Sequence, residues 1–72
     1  MNLQQLADSK GVTLLSTHQT NNNEVIVLAE KESGYMRFVT WDFANSSFHY
    51  GHYFLTAEQG RADFIRRIGG TL

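Results

Sequence analysis

The sequence predicts an α+β fold: a four-stranded antiparallel meander with a short N-terminal helix and a C-terminal helix packed on one face (α-β-β-β-β-α). Two observations support this prediction. Four short segments are rich in β-branched and aromatic residues and are separated by polar turns, which is typical of strands. The segments at both ends of the chain begin with helix-capping residues. The chain has 72 residues, so we expect residues 1–72 to form a single domain.

The two terminal segments carry helix signals. Asn2 is a preferred N-cap residue, and Gly11 is a natural end because glycine accepts the left-handed conformation. Residues 56–59 read Thr-Ala-Glu-Gln, which is a capping box in which the glutamine returns to the cap. The second helix is expected to pack on the sheet through an apolar stripe formed by Ala57, Phe64, Ile65 and Ile68.

The four predicted strands cover residues 12–18, 25–29, 35–43 and 48–55. A turn centred on Asn45 and Ser46 joins the last two strands, because asparagine tolerates turn geometry. The cross-strand pairs that this turn predicts are Phe43–Phe48, Trp41–Tyr50, Val39–His52 and Arg37–Phe54.

The predicted hairpin places apolar side chains on both faces of the sheet, since successive residues of a strand point to opposite faces. The larger cluster surrounds Trp41, and we expect it to take the C-terminal helix because it offers more area to bury. Two short helices cover little of a four-stranded sheet. The second cluster is therefore either covered by curled strands and loops or exposed as a contact surface. Its members are Met36, Phe38, Tyr53 and Leu55.

The composition argues against several classes of protein. No cysteine is present, so disulfides and thiolate metal sites are excluded. The net charge of −1 argues against a dominant phosphate-binding surface. No apolar run is long enough to span a bilayer, and the N-terminus lacks the features of a signal peptide. We therefore expect a cytoplasmic protein that does not bind membranes.

No residue pattern predicts catalysis, a metal or a cofactor. His49 and His52 form an H-x-x-H pair, whose members share a face on a helix but point to opposite faces on a strand. We therefore expect no metal site, and we interpret His52 as a packing residue with one ring nitrogen hydrogen-bonded. Ser46 and Ser47 lie near His49, but nothing in the sequence organises an oxyanion hole. The prediction is that the chain is not an enzyme.

Arg61 interrupts the apolar stripe of the last helix at helical spacing. In one interpretation its methylenes lie on the sheet while the guanidinium reaches solvent or a carboxylate. In the other it anchors a partner, since arginine is enriched in binding hot spots. The candidate partner-binding residues are Met36, Arg37, Phe38, Tyr53, Leu55 and Arg61.

Residues 35–67 resemble a group of small hypothetical proteins of bacterial genomes and mobile elements. The shared pattern is V-T-W at residues 39–41, G-H-Y-F at residues 51–54 and D-F at residues 63–64. The resemblance implies a bacterial or phage origin. It implies no activity and supplies no site residue. The chain departs from the group at Arg61, where an aliphatic residue is common.

These observations predict a non-catalytic protein-interaction module that binds a protein partner or a second copy of itself, as a homodimer. The alternative is a single-stranded nucleic-acid-binding protein that stacks bases on sheet aromatics, with Arg37 and the helix arginines contacting phosphates. A third possibility is a regulator that inhibits a host enzyme. The near-neutral charge favours the protein-interaction module over the nucleic-acid binder, because such binders follow the phosphate backbone with a positive groove.

Overall fold

The computed structural model describes residues 2–70 and confirms the predicted order of elements. The four strands form one antiparallel sheet in the order β1-β2-β3-β4. Within residues 2–70, no helix is both long and apolar enough to cross a bilayer. The elements are α1 (Leu3–Lys10), β1 (Val12–Gln19), β2 (Val25–Lys31), β3 (Phe38–Ala44), β4 (Ser47–Phe54) and α2 (Ala57–Gly70).

Both predicted helix caps are present. The Asn2 side chain accepts a hydrogen bond from the Gln5 N–H at 2.8 Å, and the Gln5 side chain accepts one from the Asn2 N–H at 3.0 Å. Gly11 ends α1 in the left-handed conformation, with φ of 70°. At the start of α2, Thr56 Oγ1 accepts from the Gln59 N–H at 3.2 Å, and Gln59 Oε1 accepts from the Thr56 N–H at 3.3 Å. Local sequence therefore sets where both helices begin.

The third strand begins three residues later than predicted, at Phe38 instead of Tyr35. Gly34 has φ of 113°, which breaks the extended conformation. The N–H of Lys31 donates to the Arg37 carbonyl at 2.7 Å and closes the β2–β3 connection. Tyr35 and Met36 therefore belong to a loop and not to a strand.

The predicted turn between β3 and β4 is confirmed. Asn45 and Ser46 both have positive φ, 52° and 62°, as a two-residue type I′ turn requires. Phe43 is paired with Phe48 as predicted. The turn thus sets the register of the first half of the hairpin.

A β-bulge changes the register in the second half of this hairpin. Tyr50 and Gly51 together stand opposite Trp41, and Tyr50 has a left-handed φ of 56°. The extra residue moves every later side chain of β4 to the face opposite the predicted one. The predicted pairs after the bulge are wrong, and the observed pairs are Thr40–His52, Val39–Tyr53 and Phe38–Phe54.

The two helices pack on opposite faces of the sheet. The face of α1 carries the Trp41 cluster, which includes Ala7 of α1. On the other face Phe64 of α2 packs with Ile26 and Leu28. The prediction that α2 covers the Trp41 cluster is therefore wrong, whereas packing of α2 on a single face is confirmed.

The sheet-facing side of α2 also differs from the predicted stripe. Phe64 is buried as expected, but Ile65 is 60% exposed. Gly60 faces the sheet instead, so closely that a Cβ there would lie 3.0 Å from Leu28 Cδ1 and 3.3 Å from Phe38 Cβ. Ile68 packs with the Phe64 cluster as predicted, whereas Ala57 is exposed, so only two members of the predicted stripe face the sheet.

Candidate functional site

Four aromatic side chains form a continuous cluster on the α1 face of β3 and β4. Trp41 stacks on Phe48 with ring centroids 4.2 Å apart and planes 5° apart. Phe43 meets Phe48 edge-on at 5.8 Å, and Tyr53 meets Trp41 edge-on at 6.4 Å. We call Trp41, Phe43, Phe48 and Tyr53 the aromatic half-face. Helix α1 packs chiefly on β1, at the opposite edge of the sheet. Trp41 is nevertheless buried, Phe43 and Phe48 are half-buried, and Tyr53 is exposed.

The exposed margin of the aromatic half-face adjoins Tyr53, whose exposed fraction is 47%. Lys31 Nζ lies 5.3 Å from the centre of the Tyr53 ring, within the range of a cation–π contact. Leu55, two residues beyond Tyr53, is 46% exposed. An apolar surface with a cationic rim is thus available at this end of the hairpin.

The predicted second cluster is not one surface. Because of the bulge, Tyr53 lies on the α1 face, whereas Phe38 lies on the α2 face and is half-buried. Met36 is exposed in the β2–β3 loop. Arg37 is also exposed and makes an ion pair with Glu30. The structure therefore joins Tyr53 to the Trp41 cluster and separates it from Phe38.

Arg61 lies on the outer surface of α2 and is exposed. Its side chain makes no hydrogen bond or ion pair with any residue between 2 and 70. Gly60, Asp63 and Phe64 face the sheet, so the helix is rotated relative to the predicted stripe. The interpretation in which Arg61 pairs with a carboxylate thus finds no partner in the described chain, and its role as a partner anchor stays a prediction.

The bulge is held from both faces of the sheet. On the α1 face the Trp41 indole lies against Gly51, where a Cβ would come within 2.6 Å of Nε1. From the α2 face, Arg67 Nη2 donates a hydrogen bond to the Tyr50 carbonyl. The Tyr50 side chain is 78% exposed although its backbone is left-handed. These two contacts maintain a conformation that non-glycine residues seldom adopt.

A polar network lies between α2 and the sheet, and sequence reasoning missed it. Asp63, 6% exposed, accepts hydrogen bonds from Thr40 Oγ1 at 2.6 Å, from Arg67 Nε at 3.0 Å and from Arg66. Arg67 also donates to Asp42 Oδ1 at 2.9 Å. One feature of the sequence could have indicated this network: Asp63 and Arg67 are four residues apart, which places opposite charges on one face of a helix.

The Asp63 carboxylate is kept ionised by this network. Burial raises its pKa, but hydrogen bonds from Thr40, Arg66 and Arg67 and the charge of Arg67 lower it more. The net result is a pKa well below the ordinary value of 3.8. The network is therefore charged at neutral pH and ties α2 to β3 and β4.

The bulge also brings His49 and His52 to the same face of the sheet. They pair with Asp42 and Thr40, which are two residues apart on β3. The expectation that these histidines point to opposite faces is therefore wrong. His52 is not packed, since its side chain is 54% exposed, but its Nδ1 lies 3.5 Å from Asp63 Oδ2. Among residues 2–70, no three His, Asp or Glu side chains are gathered closely enough to hold a metal ion.

No protein-family model, curated protein or solved structure matches this chain. The resemblance to small bacterial and mobile-element proteins therefore stays a prediction. The surface formed by residues 2–70 contains no detectable pocket. The hairpin thus has two candidate surfaces. The aromatic half-face lies on one side, and the histidine pair with the Asp63 network lies on the other.

Proposed function

We propose that this chain is a non-catalytic protein-interaction module of bacterial or mobile-element origin, and that its contact surface is the aromatic half-face with Leu55 at its margin. The observation that carries the proposal is the incomplete covering of the α1 face. Helix α1 packs chiefly on β1, so Phe43 and Phe48 stay half-buried and Tyr53 stays exposed, although Trp41 itself is buried.

The chemistry of this surface suits a protein partner. Aromatic side chains are enriched at the centres of protein interfaces, where they bury a large area with little loss of conformational freedom. The half-buried Phe48 stacks on the buried Trp41, so little ordering of this ring is needed on binding. Lys31 at the rim adds a cation that an acidic or carbonyl group of a partner can meet.

The positions of the arginines favour a protein over single-stranded nucleic acid. Arg66 and Arg67 lie on the α2 face, opposite the aromatic half-face, and bind Asp63 and Asp42. Arg37 is paired with Glu30. A strand that stacked its bases on Tyr53 would thus find Lys31 nearby but neither Arg66 nor Arg67, and backbone contacts supply most nucleic-acid affinity.

The test compares two matched surface variants. Tyr53→Ser with Leu55→Ser removes two exposed apolar groups at the margin of the aromatic half-face, and Ile65→Ser removes one from the outer surface of α2. Self-association is measured by sedimentation over a range of concentrations. Protein partners are trapped in bacterial cells by a photo-crosslinking residue at position 53 or, as the control, at position 65.

We expect concentration-dependent association or a discrete cross-linked adduct from position 53. Both signals should be lost in the double serine variant and kept in the Ile65→Ser control. Equal labelling from positions 53 and 65, or no association and no adduct, would contradict the proposal. Salt-sensitive binding of a labelled oligonucleotide that depends on Tyr53 would favour the nucleic-acid alternative instead.

A further inference from the structure

We propose that His49 and His52 form a binding site for one divalent transition-metal ion of the class that prefers imidazole ligands, such as Zn²⁺. The site lies on the α2 face of β4, on the opposite side of the sheet from the aromatic half-face. The proposal therefore does not depend on the proposed protein-binding function.

The bulge in β4 brings the two histidines to one face of the sheet. Without the extra residue, two histidines three positions apart on a strand would point in opposite directions. Here they are paired with Asp42 and Thr40, whose side chains lie on one face of β3. The two histidines therefore lie on one face of β4, opposite β3 residues two apart, which is the spacing of neighbouring side chains on one face of a strand.

One ring nitrogen of each histidine faces an oxygen of the protein. His49 Nε2 lies 3.2 Å from the Ala44 carbonyl, which can only accept, so Nδ1 is the nitrogen left for an ion. His52 Nδ1 faces Asp63 Oδ2 at 3.5 Å, an ion-pair distance, and Nε2 is the nitrogen on the other side of its ring. In metal sites the ligating histidine commonly donates its other N–H to a carboxylate or a backbone carbonyl. His49 has such a carbonyl contact, and His52 has a carboxylate nearby at a longer distance.

The exposure of the two imidazoles and the charges around them also suit a metal ion. Both imidazoles are exposed, so an ion can reach them without opening the fold. The two nearest arginines, Arg66 and Arg67, are each held on carboxylates and do not leave an unbalanced positive charge beside the histidines. Asp42, directly across from His49, is the carboxylate that pairs with Arg67, so the charges beside the histidines are balanced.

The two imidazoles are the whole protein contribution, because no third metal-binding side chain is gathered near them among residues 2–70. Water completes the coordination shell. Imidazole suits Zn²⁺, Cu²⁺ and Ni²⁺, and poorly suits Mg²⁺ and Ca²⁺, which prefer oxygen ligands. The site is thus selective by ligand type and open to exchange.

The test is calorimetric titration of the intact chain with Zn²⁺ at neutral pH, using His49→Gln, His52→Gln and His18→Gln. The chain has three histidines, and His18 lies on β1 at the far edge of the sheet, so it is the matched control. We expect one Zn²⁺ per chain. Each of the first two variants should lower the affinity by at least about 10-fold, and His18→Gln should leave it unchanged.

A second measurement locates the ion. Substoichiometric Cu²⁺ should broaden the NMR signals of residues 49–52 and spare those of β1. If His52→Gln weakens the fold through Asp63, His49→Gln decides the outcome, since His49 contacts only a backbone carbonyl through its ring nitrogens. The Tyr53→Ser, Leu55→Ser variant should bind Zn²⁺ normally, which separates this proposal from the protein-binding one.

The proposal is overturned if the wild-type chain takes up no Zn²⁺ at millimolar concentration. It is also overturned if the double variant of His49 and His52 binds as well as wild type, or if His18→Gln alone abolishes binding.

Discussion

Replacing Asp63 with asparagine tests whether the polar network beneath α2 is a main source of stability. The substitution keeps the shape of the side chain and removes its charge. It leaves the Arg67 guanidinium, 11% exposed, with Asp42 as its remaining carboxylate. It also weakens the acceptor for Thr40, whose side chain is fully buried.

The expected loss of stability follows from the burial of the Asp63 and Arg67 side chains. Removing one partner of a buried ion pair typically costs about 3–5 kcal/mol, because the other charge stays buried without compensation. Arg67 retains Asp42 and the Tyr50 carbonyl, so we expect a loss of about 3 kcal/mol for Asp63→Asn. A chain of this length has a total stability of roughly 4–11 kcal/mol. The midpoint of thermal unfolding should therefore fall by about 12–24 °C.

The same variant changes the dependence of stability on pH. The folded-state pKa of Asp63 lies below the ordinary value of 3.8, so its contribution is present above that pH and is lost as the pH falls further. Each unit of depression corresponds to about 1.4 kcal/mol. The stability difference between wild type and Asp63→Asn should be constant from neutral pH to about pH 5 and should shrink below pH 4.

The assay is urea unfolding followed by the fluorescence of Trp41, the single tryptophan, at several pH values. Asp8→Asn is the matched control, because Asp8 is exposed and its carboxylate accepts a hydrogen bond from the exposed Gln4 side chain at 2.8 Å. We expect the control to change stability by less than about 0.5 kcal/mol. If Asp63→Asn behaves like the control at neutral pH, or shows the same acid dependence as wild type, the network does not stabilise the fold.

Three further changes test the bulge and the packing of α2. Gly51→Ala should destabilise the fold and alter Trp41 fluorescence, because the new Cβ would lie 2.6 Å from Nε1; unchanged urea unfolding would contradict the contact. Tyr50→Gly should stabilise by up to about 1 kcal/mol in the same assay, because relief of about 1–2 kcal/mol of left-handed strain exceeds the entropy of about 0.4–1 kcal/mol that glycine adds to the unfolded chain; a loss would show that the left-handed φ of Tyr50 stores less strain than this. Phe64→Ala should cost about 3–5 kcal/mol, and the neighbouring, exposed Ile65→Ala should cost much less; similar losses would mean that α2 is rotated differently.

Local signals in the sequence predicted the secondary structure well. The caps at Asn2 and Thr56 act over three residues, and the turn at Asn45 and Ser46 depends on the residues within it. These contacts are short-range, so the residues that make them are visible in the sequence. The late start of β3 was missed because Tyr35 is a strand-favouring residue, whereas the observed loop follows the positive φ of Gly34 just before it.

The placement of the candidate partner-binding residues was predicted only in part, and their role stays a prediction. Tyr53 and Leu55 are exposed as expected, but Phe38 lies on the face opposite Tyr53 and Arg61 is exposed on α2. The two misplacements have separate causes. Strict alternation along β4 predicted the wrong face for Tyr53, and the apolar stripe alone predicted the wrong orientation of α2. A bulge changes the first pattern, and a buried Asp63 changes the second.

The sequence by itself determined the number, type and order of the elements, the ends of the helices and the register of the first half of the β3–β4 hairpin. Only the tertiary structure decided which face each helix covers and where His49, His52 and Tyr53 point. The reason is that the bulge depends on contacts between distant parts of the chain. Trp41 requires a glycine at position 51 from one side, and Arg67 of α2 binds the Tyr50 carbonyl from the other. Neither contact exists until the sheet and α2 have come together.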